Sequence, residues 1–230
     1  MRSPERPRSQ DGAGSTRRPP DASSREWYQG LYGLKPRFGA ALAAPADWLA
    51  ARRVDPDGLT AAGVGCALAA GLCLAATGLG AWTALLAAPL ALARLTFNAL
   101  DGLVARRTGT ARPWGAVVNE LGDRVADLGV FAGLALVPGA AAALVGGAAA
   151  ASLLSSLVGV ASEAAGGRRV RGGPMGKADR MAWVAVAALA SGVTGDLAFL
   201  RLLPAVVLAG AVATLLLRLW EAHGALESAR

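Results

Sequence analysis

Asn98 and Asp101 stand three residues apart, and Asn119, Asp123 and Asp127 follow one another at intervals of four. On a helix each set lines a single face. Carboxylates and carboxamides on two consecutive helices offer oxygen ligands only, the kind that hard divalent cations such as Mg²⁺ or Mn²⁺ prefer. A zinc site is not expected, because the chain has one histidine, His223, and no Cys/His cluster. The two cysteines, Cys66 and Cys73, are two turns apart on one apolar helix, about 10 Å, too far for a disulfide.

The elements that must position these residues are built for lipid. The chain has 230 residues, of which 54% are hydrophobic and only 17% charged, against about 25% charged in a soluble domain. Its mean hydropathy is +0.43. Small residues abound, which lets membrane helices approach closely. Ionisable groups at membrane depth are expensive, face a bundle interior or polar cavity, and are functional by default. Six apolar segments, near 58–78, 81–106, 114–137, 140–164, 179–197 and 200–221, are each long enough to span. The expected fold is therefore an all-α integral membrane protein of about six transmembrane helices.

Residues 1–25 read as a disordered basic tail, rich in Arg, Ser, Pro and Gly. Residues 26–54 mix aromatic, aliphatic and basic side chains with Pro36 and Pro45. They read as an N-terminal interfacial amphipathic segment or as an ordinary helix packed on the helix ends. The membrane domain is expected over 55–222, with a tail at 223–230. The net charge of +7 and pI near 10.6 fit the positive-inside rule and anionic lipid rather than nucleic acid. Basic residues cluster before residue 54, at Arg106, Arg107 and Arg112, and at Arg168–Arg180. An even number of spans puts all of them on one side, with both termini cytoplasmic in the cell (plasma or inner) membrane.

The run Asn98-Ala-Leu-Asp101-Gly102-Leu-Val-Ala105-Arg106, followed by Gly115-Ala-Val-Val-Asn119-Glu120-Leu-Gly-Asp123, resembles the signature of the CDP-alcohol phosphotransferases. That family reads Asp-x-x-Asp-Gly-x-x-Ala-Arg, a short spacer, then Gly-x-x-x-Asp-x-x-x-Asp. Asp101, Gly102, Ala105, Arg106, Gly115 and Asp123 match it. Asn98 and Asn119 stand where the family has Asp, which resembles an Asn-variant bacterial subfamily. The resemblance extends over roughly residues 50–220.

The resemblance implies a membrane enzyme of phospholipid synthesis. It would transfer a phosphatidyl group from CDP-diacylglycerol to a small alcohol, or phosphorylated alcohol, and release CMP. Membrane lipids and a second copy of the chain, in a homodimer, are the other implied partners. Mg²⁺ or Mn²⁺ would be held by Asp101 and Asp123, with Asn98 and Asn119 as amide-oxygen ligands and Glu120 as a compensating carboxylate. Asp123 would be the general base. Two amides in place of carboxylates cut the site charge and favour one ion over two. Gly102, Ala105 and Gly115 would admit the nucleotide, although such small residues equally serve helix crossings. Arg106 would contact the nucleotide or its phosphates. Lys177 and Arg180, in a basic glycine-rich stretch, and Arg124 are candidates for a phosphorylated acceptor. The same stretch lacks P-loop spacing. Asp127 reads as a further ligand or as an ion-pair partner of Arg94 or Arg124, and Arg94 as that partner or a phosphate contact. Two other functions compete. One is a catalytically impaired pseudoenzyme of the same fold, suggested by the two Asn. The other is a small transporter, which would need inverted repeats that the sequence does not display.

Overall fold

The structure is a computed structural model that describes residues 35–227. The expected tail at 1–25, the first part of the 26–54 segment and residues 228–230 lie outside the described residues. Two short helices, α1 (Lys35–Ala41) and α2 (Ala43–Ala51), precede six long ones. These are α3 (Pro56–Ala75), α4 (Thr83–Thr108), α5 (Pro113–Ala135), α6 (Ala142–Ala164), α7 (Lys177–Thr194) and α8 (Ala198–Glu227). No strand occurs among the described residues. The last helix runs through His223, beyond the 221 expected from hydropathy.

Local sequence explains the helix ends. Asp55 caps α3 by accepting the Asp57 N–H at 3.2 Å, and Pro56 occupies the first turn, where a missing N–H costs nothing. Pro113 starts α5 in the same way. Gly109, at φ 69°, ends α4 in the left-handed conformation that glycine adopts freely.

Four helical stretches are long and apolar enough to cross a membrane: Pro56–Leu79, Thr83–Thr108, Ala142–Ala164 and Ala198–Glu227. Six were expected. The other two long helices are more highly charged: α5 carries Glu120, Asp123, Arg124 and Asp127, and α7 opens with Lys177, Asp179 and Arg180.

Helix packing is led by α3 against α4 and α5, α6 against α8, and α4 against α7. The core is built of small side chains, with Ala67, Ala70, Ala84, Ala87, Ala88 and Ala91 buried, while Leu72, Leu79, Leu202 and Trp220 point outward. This inverts the soluble pattern and suits lipid as solvent. The tightest crossing joins α3 to α5. A Cβ built on Gly71 would lie 2.3 Å from the Gly129 carbonyl oxygen, and one on Gly133 would lie 2.2 Å from that of Gly71. Helix α2 packs Ala46, with Leu42 and Leu49, against Leu59, Leu100 and Val104 at the ends of α3 and α4.

Candidate active site

Asp123 is the hub of the polar cluster. Helix α4 presents Arg94, Asn98 and Asp101 along one face, and α5 presents Asn119, Asp123 and Asp127. The Asn98 amide donates to Asp123 Oδ1 at 2.9 Å and to Asn119 Oδ1 at 3.3 Å. The Arg94 guanidinium donates to the same Asp123 oxygen. Lys177, the first residue of α7, places Nζ 2.5 Å from Asp123 Oδ2. Arg94 and Asp123 are both buried, where a charge needs a partner. A carboxylate has about four acceptor directions. Three are used here, and the one left open is on Oδ2.

Asp101 is also buried, and accepts the Thr60 hydroxyl at 2.9 Å and the Gly102 N–H at 2.5 Å. It lies within electrostatic reach of Asp123 and Lys177. Glu120 does not join this group. One of its oxygens accepts from Arg124 and the other from Arg169, so the Arg124 guanidinium is engaged within its own helix. Asp127 pairs with Arg180 at 2.5 Å, rather than with Arg94 or Arg124. Arg180 is buried and also donates to the Met175 carbonyl at 3.3 Å.

Two residues that the sequence reading did not single out complete the cluster. Thr60 orients Asp101, and only its place in the turn leading into α3 could have hinted at it. Arg218 on α8 donates to the carbonyls of Ser155 at 2.7 Å and Gly172 at 2.8 Å, pinning the loop before α7.

Beside the cluster opens a cavity of about 1100 Å³, lined by residues of α2, α3, α4 and α5. The signature residues Asp101, Gly102, Ala105, Arg106, Gly115 and Asn119 all face it. A Cβ on Gly102 would meet nothing nearer than the Arg106 guanidinium, at 3.3 Å, and one on Gly115 nothing nearer than 3.5 Å. Unlike Gly71 and Gly133, these glycines are not required by helix packing. Their small size keeps the cavity wall flat.

The donor set suits one hard divalent cation better than two. Asp101, Asp123 and the amide oxygens of Asn98 and Asn119 are all oxygen donors. Arg94 and Lys177 together offset the two carboxylates, so a doubly charged ion must be balanced by the anion it holds, and a second ion would double that demand. Among the described residues no three His, Cys, Asp or Glu side chains gather as a metal nest.

The chain shares its fold with a solved phosphatidylinositol phosphate synthase. The phosphatidylinositol phosphate synthase of Mycobacterium tuberculosis, in a crystal structure with CDP-DAG bound, superposes with a TM-score of 0.63 at 24% identity, over 78% of this chain and 92% of that one. A second structure of that enzyme, with manganese and citrate, gives the same TM-score and identity and covers 87% of that chain. No protein-family model matches the chain. A relative in sequence is the inner membrane protein YnbA of Escherichia coli (strain K12), 30% identical over 150 residues, which span 65% of this chain and 74% of YnbA. The chain belongs to the family of that inner membrane protein and is itself a membrane protein.

Proposed function

We propose that the chain transfers a phosphatidyl group from CDP-diacylglycerol to a small alcohol, with release of CMP. The observation that carries this reading is the cavity wall. Gly102, Ala105 and Gly115 leave space that no helix fills, Arg106 stands beside them, and the space opens next to Asp101 and Asn119. The synthase of the same fold, with its bound CDP-DAG, supports the donor.

The chemistry follows from what each group can do. Arg106 holds the diphosphate through a forked guanidinium. The open direction on Asp123 Oδ2 receives the proton of the acceptor hydroxyl. The hydroxyl oxygen then bonds to the phosphorus that carries the diacylglycerol, the bridging P–O bond breaks, and CMP leaves. Lys177, half-exposed at the head of α7, meets the acceptor or its phosphate. Arg180 sits behind it and holds Asp127. One Mg²⁺ or Mn²⁺ ion would be held by Asp101, Asn98 and Asn119 and, once Lys177 turns to the acceptor, by the Asp123 Oδ2 direction that Lys177 vacates, and when bound it neutralises diphosphate charge. The manganese in the synthase structure supports a divalent ion.

The topological reading adds α5 and α7 to the four apolar spans, with both termini cytoplasmic. Outward-facing Leu121, Val125 and Leu128 on α5 and Val186, Leu189 and Val193 on α7 support it. A homodimer in the membrane is part of the same proposal.

A second reading, an impaired pseudoenzyme, draws on one observation: Asp123 is already engaged by Arg94, Lys177 and Asn98. The assay that decides uses the purified protein in vesicles with CDP-diacylglycerol and a panel of acceptors, including glycerol phosphate, inositol phosphate and serine. CMP release with one acceptor is the expected result. No release with any acceptor favours the pseudoenzyme.

A further inference from the structure

Four arginines line the cavity: Arg53, Arg106, Arg107 and Arg112. Two are occupied. Arg107 Nε lies 2.5 Å from Asp47, and Arg112 pairs with Asp57, also at 2.5 Å. Arg106 and Arg53 make no ion pair or side-chain hydrogen bond with any described residue. Arg52, next in sequence to Arg53, is stacked 3.5 Å from the centre of the Trp48 ring.

Arg53 occupies an unusual backbone position. Its φ is 52°, and it is the one non-glycine residue with positive φ among the described residues. It closes α2: its N–H bonds to the Ala50 carbonyl at 2.9 Å, and the Val54 N–H reaches back to Leu49 at 3.1 Å. Glycine is the usual residue at such a left-handed helix stop, because a side chain there is strained. Strain of this kind persists where the side chain serves a purpose. Here the residue lines the cavity, and its side chain is exposed and ends in a guanidinium.

We infer that Arg53 is a second diphosphate-binding residue, outside the signature, which joins Arg106 in holding the nucleoside diphosphate part of the donor. The inference rests on the phosphotransferase reading. It gives α2 a part in the site, because Ala46 and the Asp47–Arg107 pair fix that helix to α4 and so set where Arg53 stands. The chemistry needed is two forked cations on a group of at least two negative charges, and a free nucleoside diphosphate supplies it without the lipid.

The test is calorimetric titration of the full-length protein in detergent with CDP, beside thermal unfolding. Arg53→Gly and Arg53→Asn both suit the backbone, and Arg53→Lys keeps the charge. The expected result is a CDP affinity about 10- to 100-fold weaker in the Gly and Asn variants, the loss expected of a charged hydrogen-bonding group. The Lys variant should fall between them and wild type. The Gly variant should unfold at or above the wild-type temperature. Unchanged CDP affinity in Arg53→Gly, with wild type binding, overturns the role of Arg53 and leaves the phosphotransferase reading standing. Weaker binding together with a lower unfolding temperature in both the Gly and Asn variants makes Arg53 a structural residue and also overturns it. A wild type that binds no CDP overturns both readings.

Discussion

At the scale of single residues, the site combines two carboxylates, two carboxamides and two fixed cations. Removing a carboxylate charge should weaken both cation and diphosphate binding. Asp101→Asn and Asp123→Asn are each expected to lower CMP release by about 100-fold or more, and EDTA should abolish it, with Mg²⁺ or Mn²⁺ restoring it. Full activity in either variant would make these carboxylates structural. The amides give a separate test. Asn98→Leu and Asn119→Leu should insert normally yet lose CMP release, whereas Asn98→Asp should reach half-activation at a lower metal concentration, since added charge tightens cation binding. Normal turnover in both Leu variants would remove the amides from the chemistry. The spacing of Asn98, Asp101, Asn119 and Asp123 was legible in the sequence, because helical periodicity decides which residues share a face. Their hydrogen-bonding partners were not. Lys177 meets Asp123 across 54 residues of chain and Thr60 meets Asp101 across 41, and no local pattern encodes such meetings. Glu120 was read as a ligand from its place beside Asn119. Its neighbour Arg124, one turn on, and the distant Arg169 claim it instead.

At the scale of helices, α5 is bound to its neighbours by two different means. Against α3 it packs backbone to backbone through Gly71, Gly129 and Gly133. Toward α4 and α7 it is tied by ion pairs, Asp123 with Arg94 and Lys177, and Asp127 with Arg180. Breaking one partner of a buried pair costs about 3–5 kcal/mol, because the other charge is stranded. Arg180→Met should therefore lower the unfolding temperature sharply, and the double variant Arg180→Met with Asp127→Leu should recover most of the loss. A double variant no more stable than Arg180→Met would mean that the pair is not what joins α5 to α7. The six helices were legible from hydropathy to within a few residues at most ends. What hydropathy alone could not supply is which helix lies against which, since alanine-rich faces look alike in sequence and the choice rests on a few glycines and ion pairs.

At the scale of the whole molecule, the proposed six crossings would put residues 107 and 171 on the cytoplasmic side and residue 78 on the other. In a background lacking Cys66 and Cys73, single cysteines at 107 and 171 should resist a membrane-impermeant thiol reagent in intact cells, while one at 78 should react. Labelling of position 107 or 171 from outside would refute this orientation. The pairing of Asp127 with Arg180 has a consequence in time as well as in space. A chain emerging from the ribosome presents Asp127 long before Arg180, 53 residues later, has been made. A central carboxylate facing lipid alone costs about 2.5–3.5 kcal/mol during insertion, so α5 on its own is a poor substrate for release from the translocon. Nascent chains arrested before residue 177 should stay beside the insertion machinery or slip back, and those extended past α7 should leave it. Release of α5 would then await the fifth long helix, α7, and a premature stop between α5 and α7 should yield a product that quality control removes.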